Sequence, residues 1–184
     1  MQGVIRTRVG YSGGTKRNPT YHDLGDHSET FQIDFDPTRL SYEQLLDVFW
    51  KAHDPTSRSW SRQYRAALFF HNEGQKRSAQ ESRDREAARI RGKIQTEILP
   101  AAEFYPAEDY HQKYYLRQDF VLSTEFRQMF PSEVDFVNST AAARVNGYIG
   151  GYGTMTALKE ELDQLGLSQE GRKKLLATAA NSGR

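Results

Sequence analysis

A layered α+β or α/β domain is what this sequence predicts, and three observations carry it. Strand-forming segments are concentrated in the first hundred residues; helical stretches separate them; the last third has helix signals without strand signals. The coarse order is strand, loop, strand, helix, strand, helix, strand, then helices. A chain of 184 residues suits one domain with a real core, or one domain with a C-terminal appendage.

Val4 to Val9 reads as a strand through the β-propensity of Val4, Ile5, Thr7 and Val9. Tyr11-Ser12-Gly13-Gly14 breaks it, and Thr15 to His27 is a polar loop punctuated by Asn18-Pro19 and Gly25-Asp26. From Thr30 to Phe35 the residues alternate, which sets Phe31, Ile33 and Phe35 on one half-buried face. Ser41 with Gln44 forms a capping box that opens a helix to Ala52, with Leu45, Phe49 and Ala52 on one face and Leu46, Val48 and Trp50 broadening it. Asp54-Pro55 stops it. The continuous apolar run Ala66 to Phe70 reads as a strand buried on both faces. Asn72 with Gln75 offers a second capping box, and the charged segment Glu73 to Arg91 reads as a surface helix over the sheet. Ile94 to Leu99 alternates as another strand. Further helices are expected over Ala107 to Arg117, from Ser132 to Asn146-Gly147, over Met155 to Leu165, and from Ser168 onward.

Composition narrows the function. The 25 basic and 24 acidic residues give a net charge of +1, so no bulk attraction to nucleic acid is expected. No apolar run reaches the length of a transmembrane helix, and MQGVIRTRVGYSGG has no apolar signal core. The default expectation is a soluble cytoplasmic protein. The chain has no cysteine, which excludes disulfides, thiolate ligands and thiol nucleophiles from these residues.

Several motifs stand in a fixed order: Arg8-Val9-Gly10-Tyr11-Ser12-Gly13-Gly14-Thr15, Asn18-Pro19-Thr20-Tyr21, Gly25-Asp26-His27-Ser28-Glu29, Gln63-Tyr64-Arg65, and Ala107-Glu108-Asp109-Tyr110-His111-Gln112. This set resembles the A-type peptide methionine sulfoxide reductases, over roughly Gly3 to Tyr115. The resemblance implies a mixed α/β sandwich acting on the S epimer of methionine sulfoxide, free or in proteins. It implies a cysteine nucleophile in a Gly-Cys-Phe-Trp helix, regenerated by further cysteines and thioredoxin, with no bound cofactor. By motif, Glu29 falls on the family's acid, and Tyr21 and Tyr64 fall on its sulfoxide-binding tyrosines. The nucleophile has no match, and the family's first strand and signature helix would lie before Met1. Where many members carry Asp-x-Gly, this chain has Ser59 and Ser61. The domain organisation expected on this basis is a reductase-like domain over residues 1–118 and a helical extension over 119–184.

The residues also allow plainer roles. Glu29 precedes a strand, where burial beside aromatics would suit a general acid and exposure would leave a surface carboxylate. Tyr21 and Tyr64 can donate hydroxyl hydrogen bonds to a sulfoxide oxygen, or simply pack at a boundary. His22, His27 and Glu29 lie within eight residues but match no zinc spacing, and a structural role outweighs a metal site there. His111 is expected to hydrogen-bond locally. Gly147, Gly150, Gly151 and Gly153 suggest a flexible glycine-rich segment, and the order of residues around them rules out a phosphate loop. The resulting expectation is a sulfoxide reductase-like protein, inactive as written because its nucleophile is absent. The alternatives are part of an active thioredoxin-dependent reductase, a non-catalytic binding or regulatory module, and a metal-dependent hydrolase centred on His22, His27 and Glu29.

Overall fold

The computed structural model describes residues 2–182. In chain order the elements are β1 (Val4–Ser12), β2 (Ser28–Phe35), α1 (Tyr42–Lys51), β3 (Ala67–Phe70), α2 (Glu73–Arg89), β4 (Glu97–Pro100) and β5 (Tyr105–Pro106). A 3-10 turn (Asp109–His111) leads to α3 (Tyr114–Gln118), α4 (Phe120–Met129), α5 (Glu133–Asn138), α6 (Thr140–Ile149), α7 (Met155–Glu161) and α8 (Gln169–Ser182). The α+β reading holds. No described helix is long and apolar enough to cross a membrane.

The strands form two sheets rather than one. In the first, β1 lies between β2 and β5, antiparallel to both, with Val9 opposite Phe31 and Tyr11 opposite Glu29. The second is the parallel pair of β3 and β4. A parallel pair needs a crossover, and α2 supplies it. Ala79 of α2, Leu46 and Trp50 of α1, and partly buried Leu68, Ile94 and Ile98 make a small core.

Capping in α1 matches expectation: the Ser41 hydroxyl accepts from the Gln44 amide while the Gln44 side chain accepts from the Ser41 amide. Burial is deepest at two of the broadening positions of its apolar face. Leu46 and Trp50 are buried and Ala52 is exposed, because α2 and the β3–β4 pair lie on the Leu46 side. The second capping box is half formed: Asn72 caps Gln75, but the Gln75 side chain bonds the His71 amide instead. Strand β3 is half-buried throughout rather than buried on both faces, since its sheet has only two strands. The Phe31, Ile33 and Phe35 face is also barer than its alternation suggests, with Phe31 58% exposed. Helices α5 and α6 pack against β1 instead.

The single helix expected over Ala107 to Arg117 is broken. Lys113 sits at φ +50°, so a 3-10 turn and the short α3 stand in place of that helix. This break serves β1, whose outer edge would otherwise show unpaired backbone groups. The Gln112 side chain takes the place of a strand residue there, accepting from the Val9 amide and donating to the Val9 and Ala107 carbonyls. The buried Lys113 ammonium donates to the Thr7 carbonyl at 2.6 Å and the Val137 carbonyl at 2.7 Å. The Thr140 hydroxyl donates to the Ile5 carbonyl.

The largest buried cluster runs from Leu116 to Ala179 and includes Leu122, Phe126, Phe136, Val145, Leu158 and Leu175. Helix α4 within it carried no separate sequence signal. The helix expected from Ser132 to Asn146 is two helices, because Ser139 leaves the helical conformation to cap α6. The glycines after it form a close turn rather than a loose segment. Gly151 and Gly153 take positive φ, and a Cβ on Gly153 would stand 2.7 Å from the Tyr148 ring.

Candidate active site

A cavity of about 310 Å³ opens where β1, β2 and the segment after β5 meet, lined by Val9, Tyr11, Tyr21, Glu29, Phe31 and His111 among others. Strand alternation puts Val9 and Tyr11 on the same face as their partners Phe31 and Glu29. Close approach of β5 depends on Gly10, where a Cβ would lie 2.2 Å from the Tyr105 carbonyl oxygen.

Glu108 organises the back of the cavity. One carboxylate oxygen accepts from the hydroxyl of buried Tyr11 at 2.6 Å, and the other accepts from the Tyr21 amide at 3.0 Å. Desolvation opposes its charge, but these two hydrogen bonds prevail and hold the carboxyl below its usual range. Burial, then the bond to Glu108, pushes the Tyr11 phenol far up. Tyr21 is thereby fixed through its own backbone, and its ring lies 4.8 Å from the His111 ring.

The Gln63-Tyr64-Arg65 motif is held beside Glu29, each residue with its own task. The Gln63 carbonyl accepts from the Glu29 amide, and its side-chain amide donates to the Glu29 carboxylate at 2.8 Å. Tyr64 stands beside Tyr21 and Glu29. Its phenol is raised by desolvation first, then by the Tyr21 hydroxyl and the Glu29 charge. Arg65 ties this motif to the Gly13 carbonyl, the Ser28 hydroxyl and Glu97. Ser59 and Ser61 form a tight turn before it, the Ser59 hydroxyl donating to the Ser61 carbonyl at 2.7 Å.

Tyr21 and Glu29 thus share one opening, and Tyr64, distant from both in sequence, stands next to them. Glu29 is exposed on its rim, so the burial expected for a neutral general acid is not present. His27 is 1% exposed with both ring nitrogens engaged, one by the Gly14 amide and one by the Lys16 carbonyl. It locks the loop and has no lone pair left for a metal. Among the described residues no group of His, Asp or Glu could hold a metal ion. His111 does not make the local hydrogen bond expected of it. Its Nε2 is shielded from solvent without a partner and lies 4.0 Å from Glu108. Sequence reasoning missed Tyr11, Glu108 and His111 as site residues, although all three stand in the quoted motifs.

The fold and the site define a sulfoxide reductase scaffold, and comparison with known proteins agrees. The family model described as peptide methionine sulfoxide reductase matches residues 1–144, and the chain belongs to that family. A second model, the helical domain of selenoprotein methionine sulfoxide reductase A, matches residues 132–172. The likeness thus extends past Tyr115 into helices that the sequence reading left outside the family. A peptide methionine sulfoxide reductase of Drosophila melanogaster is 39% identical over 177 residues, covering 94% of this chain and 70% of the relative. One from Methanosarcina acetivorans is 45% identical over 133 residues, covering 66% of this chain and 70% of the relative. The solved methionine sulfoxide reductase A of Corynebacterium diphtheriae superimposes with a TM-score of 0.59 at 35% identity, covering 64% of this chain and 65% of that one.

Proposed function

We propose that this chain binds the side chain of methionine S-sulfoxide, in peptides or proteins, and does not by itself reduce it. The observation that carries the reading is that Tyr21 and Glu29 line one cavity and Tyr64 stands beside both. Two phenols can donate to a sulfoxide oxygen, and partly apolar walls such as Val9 and Phe31 suit the methyl group. Reduction of a sulfoxide moves two electrons onto sulfur as its oxygen leaves as water. Carboxyl and phenol groups supply protons and hydrogen bonds but no such electron pair, and the chain contains no cysteine. In this reading residues 1–118 carry the pocket, residues 119–184 are a helical extension supporting β1, and the site of action is the cytoplasm.

Calorimetric titration with N-acetyl-methionine-amide S-sulfoxide tests the proposal. Saturable binding is expected, weaker for the R epimer and for unoxidised methionine. Tyr21→Phe, Tyr64→Phe and Glu29→Gln should each weaken it by about tenfold, the worth of one hydrogen bond. Undiminished binding in all three variants contradicts the assignment of these residues.

The relatives named above favour a second reading, since this chain spans about 70% of their length. In it, a cysteine-bearing segment outside these residues completes the site, and thioredoxin recycles the resulting disulfide. Without a thiol in these 184 residues, thioredoxin belongs to that second reading alone. Sulfoxide turnover with dithiothreitol in protein from the natural source, and none in this chain, would favour it.

A further inference from the structure

The two tryptophans of this chain have opposite fates. Trp50 is buried, with its indole donating to the Ser82 hydroxyl at 3.0 Å. Trp60 is 84% exposed, and its ring lies 5.2 Å from that of Tyr64 at a tilt of 47°. A large aromatic left in water loses the apolar burial that normally accounts for its position. The ring contact that Trp60 does make is with Tyr64, which stands beside Tyr21 and Glu29.

The loop that displays it is fixed. The Ser59–Ser61 turn flanks Trp60, the Ser28 hydroxyl donates to the Arg62 carbonyl at 2.9 Å, and the Glu29 amide donates to the Gln63 carbonyl at 3.0 Å. These bonds tie the loop directly to the strand that carries Glu29. Trp60 and Tyr64, itself 45% exposed, make an aromatic pair that leads outward from Tyr21 and Glu29. A rigid aromatic held in place before binding suits a contact hot spot, since little conformational freedom is lost on association.

We propose that Trp60 is a specificity-determining residue: with Tyr64 it binds a bulky apolar side chain next to the methionine sulfoxide in an extended polypeptide. The inference rests on the sulfoxide-binding reading and adds the sequence context of the ligand. It makes an oxidised methionine flanked by leucine or phenylalanine the preferred ligand over one flanked by small residues.

Two capped peptides of equal length test it, each with one methionine S-sulfoxide, flanked by leucine and phenylalanine in one and by alanine in the other. Wild type should bind the apolar-flanked peptide about tenfold more tightly, roughly what burying part of one such side chain yields. Trp60→Ala should abolish that preference while leaving the alanine-flanked affinity unchanged, and Trp60→Phe should restore part of it. Fluorescence of buried Trp50 reports that the Trp60→Ala protein remains folded. A preference that is absent in wild type, or persists in Trp60→Ala, overturns the proposal while the pocket reading stands. If wild type binds neither peptide, the pocket reading fails and this inference falls with it.

Discussion

At the scale of single residues, Glu108 has the widest influence on the site, because it holds Tyr11 by its hydroxyl and Tyr21 by its backbone. Its carboxyl is held below the usual 4.5, so its contribution to stability is fully present above that pH. As pH falls through the lowered value, the folded carboxylate takes up a proton and the contribution is lost. Glu108→Gln should cost about 1 kcal/mol at neutral pH, the group being partly screened by solvent. The difference between wild type and variant in urea midpoint should shrink as the pH falls below the usual 4.5 and through the lowered value. A difference that stays constant down to acid pH would contradict the assignment. The sequence singles out Tyr21, Tyr64 and Glu29 as candidates only through their motifs, since an exposed acid or a boundary tyrosine has no local signature of its own. The solvent exposure of Glu29 was not legible, because it depends on what lies across the sheet.

At the scale of elements, the outer edge of β1 is closed mainly by side chains rather than by a long strand. Gln112→Ala removes three hydrogen bonds to Val9 and Ala107 and should cost about 2–3 kcal/mol in urea unfolding. Burial, then the charges of Arg8 and Arg117, lowers Lys113 from 10.5 to about 8. Between those values the unfolded chain holds a proton that the folded chain has released, so stability rises with pH through that window. Lys113→Met should lose that rise; its persistence in the variant would locate the effect elsewhere. Caps and alternation made α1, β1 and β2 legible, because those signals are local. The break at Lys113 was not, since the left-handed conformation there is compensated by carbonyls of Thr7 and Val137, distant in sequence. The division between α5 and α6 was hidden for a similar reason: Ser139 looks like an interior residue until its capping bond to Ala142 is seen.

At the scale of the whole molecule, the helices and the sheet divide the labour. The helical part holds the larger core, with Phe126 and Leu175 fully buried, and its α5 and α6 pack on β1. Phe126→Ala should cost about 3–5 kcal/mol by truncation and cavity formation. Calorimetry checks this, and a change below about 1 kcal/mol would show that the helical core does not support the fold. The helical character of this part was legible, but its shared core was not, because contacts between Leu116 and Ala179 join residues far apart in the chain. The sheet, with the loop that carries Tyr21, presents the cavity and an exposed apolar residue, Phe31.

The most direct test of a reductase scaffold that binds without reducing is one incubation of this chain with an S-sulfoxide peptide and excess dithiothreitol. Affinity is read by calorimetry and the peptide by mass spectrometry. The account predicts saturable binding and recovery of the peptide with its oxygen retained. Loss of that oxygen at a rate above the protein-free control, or failure to bind at all, would contradict it.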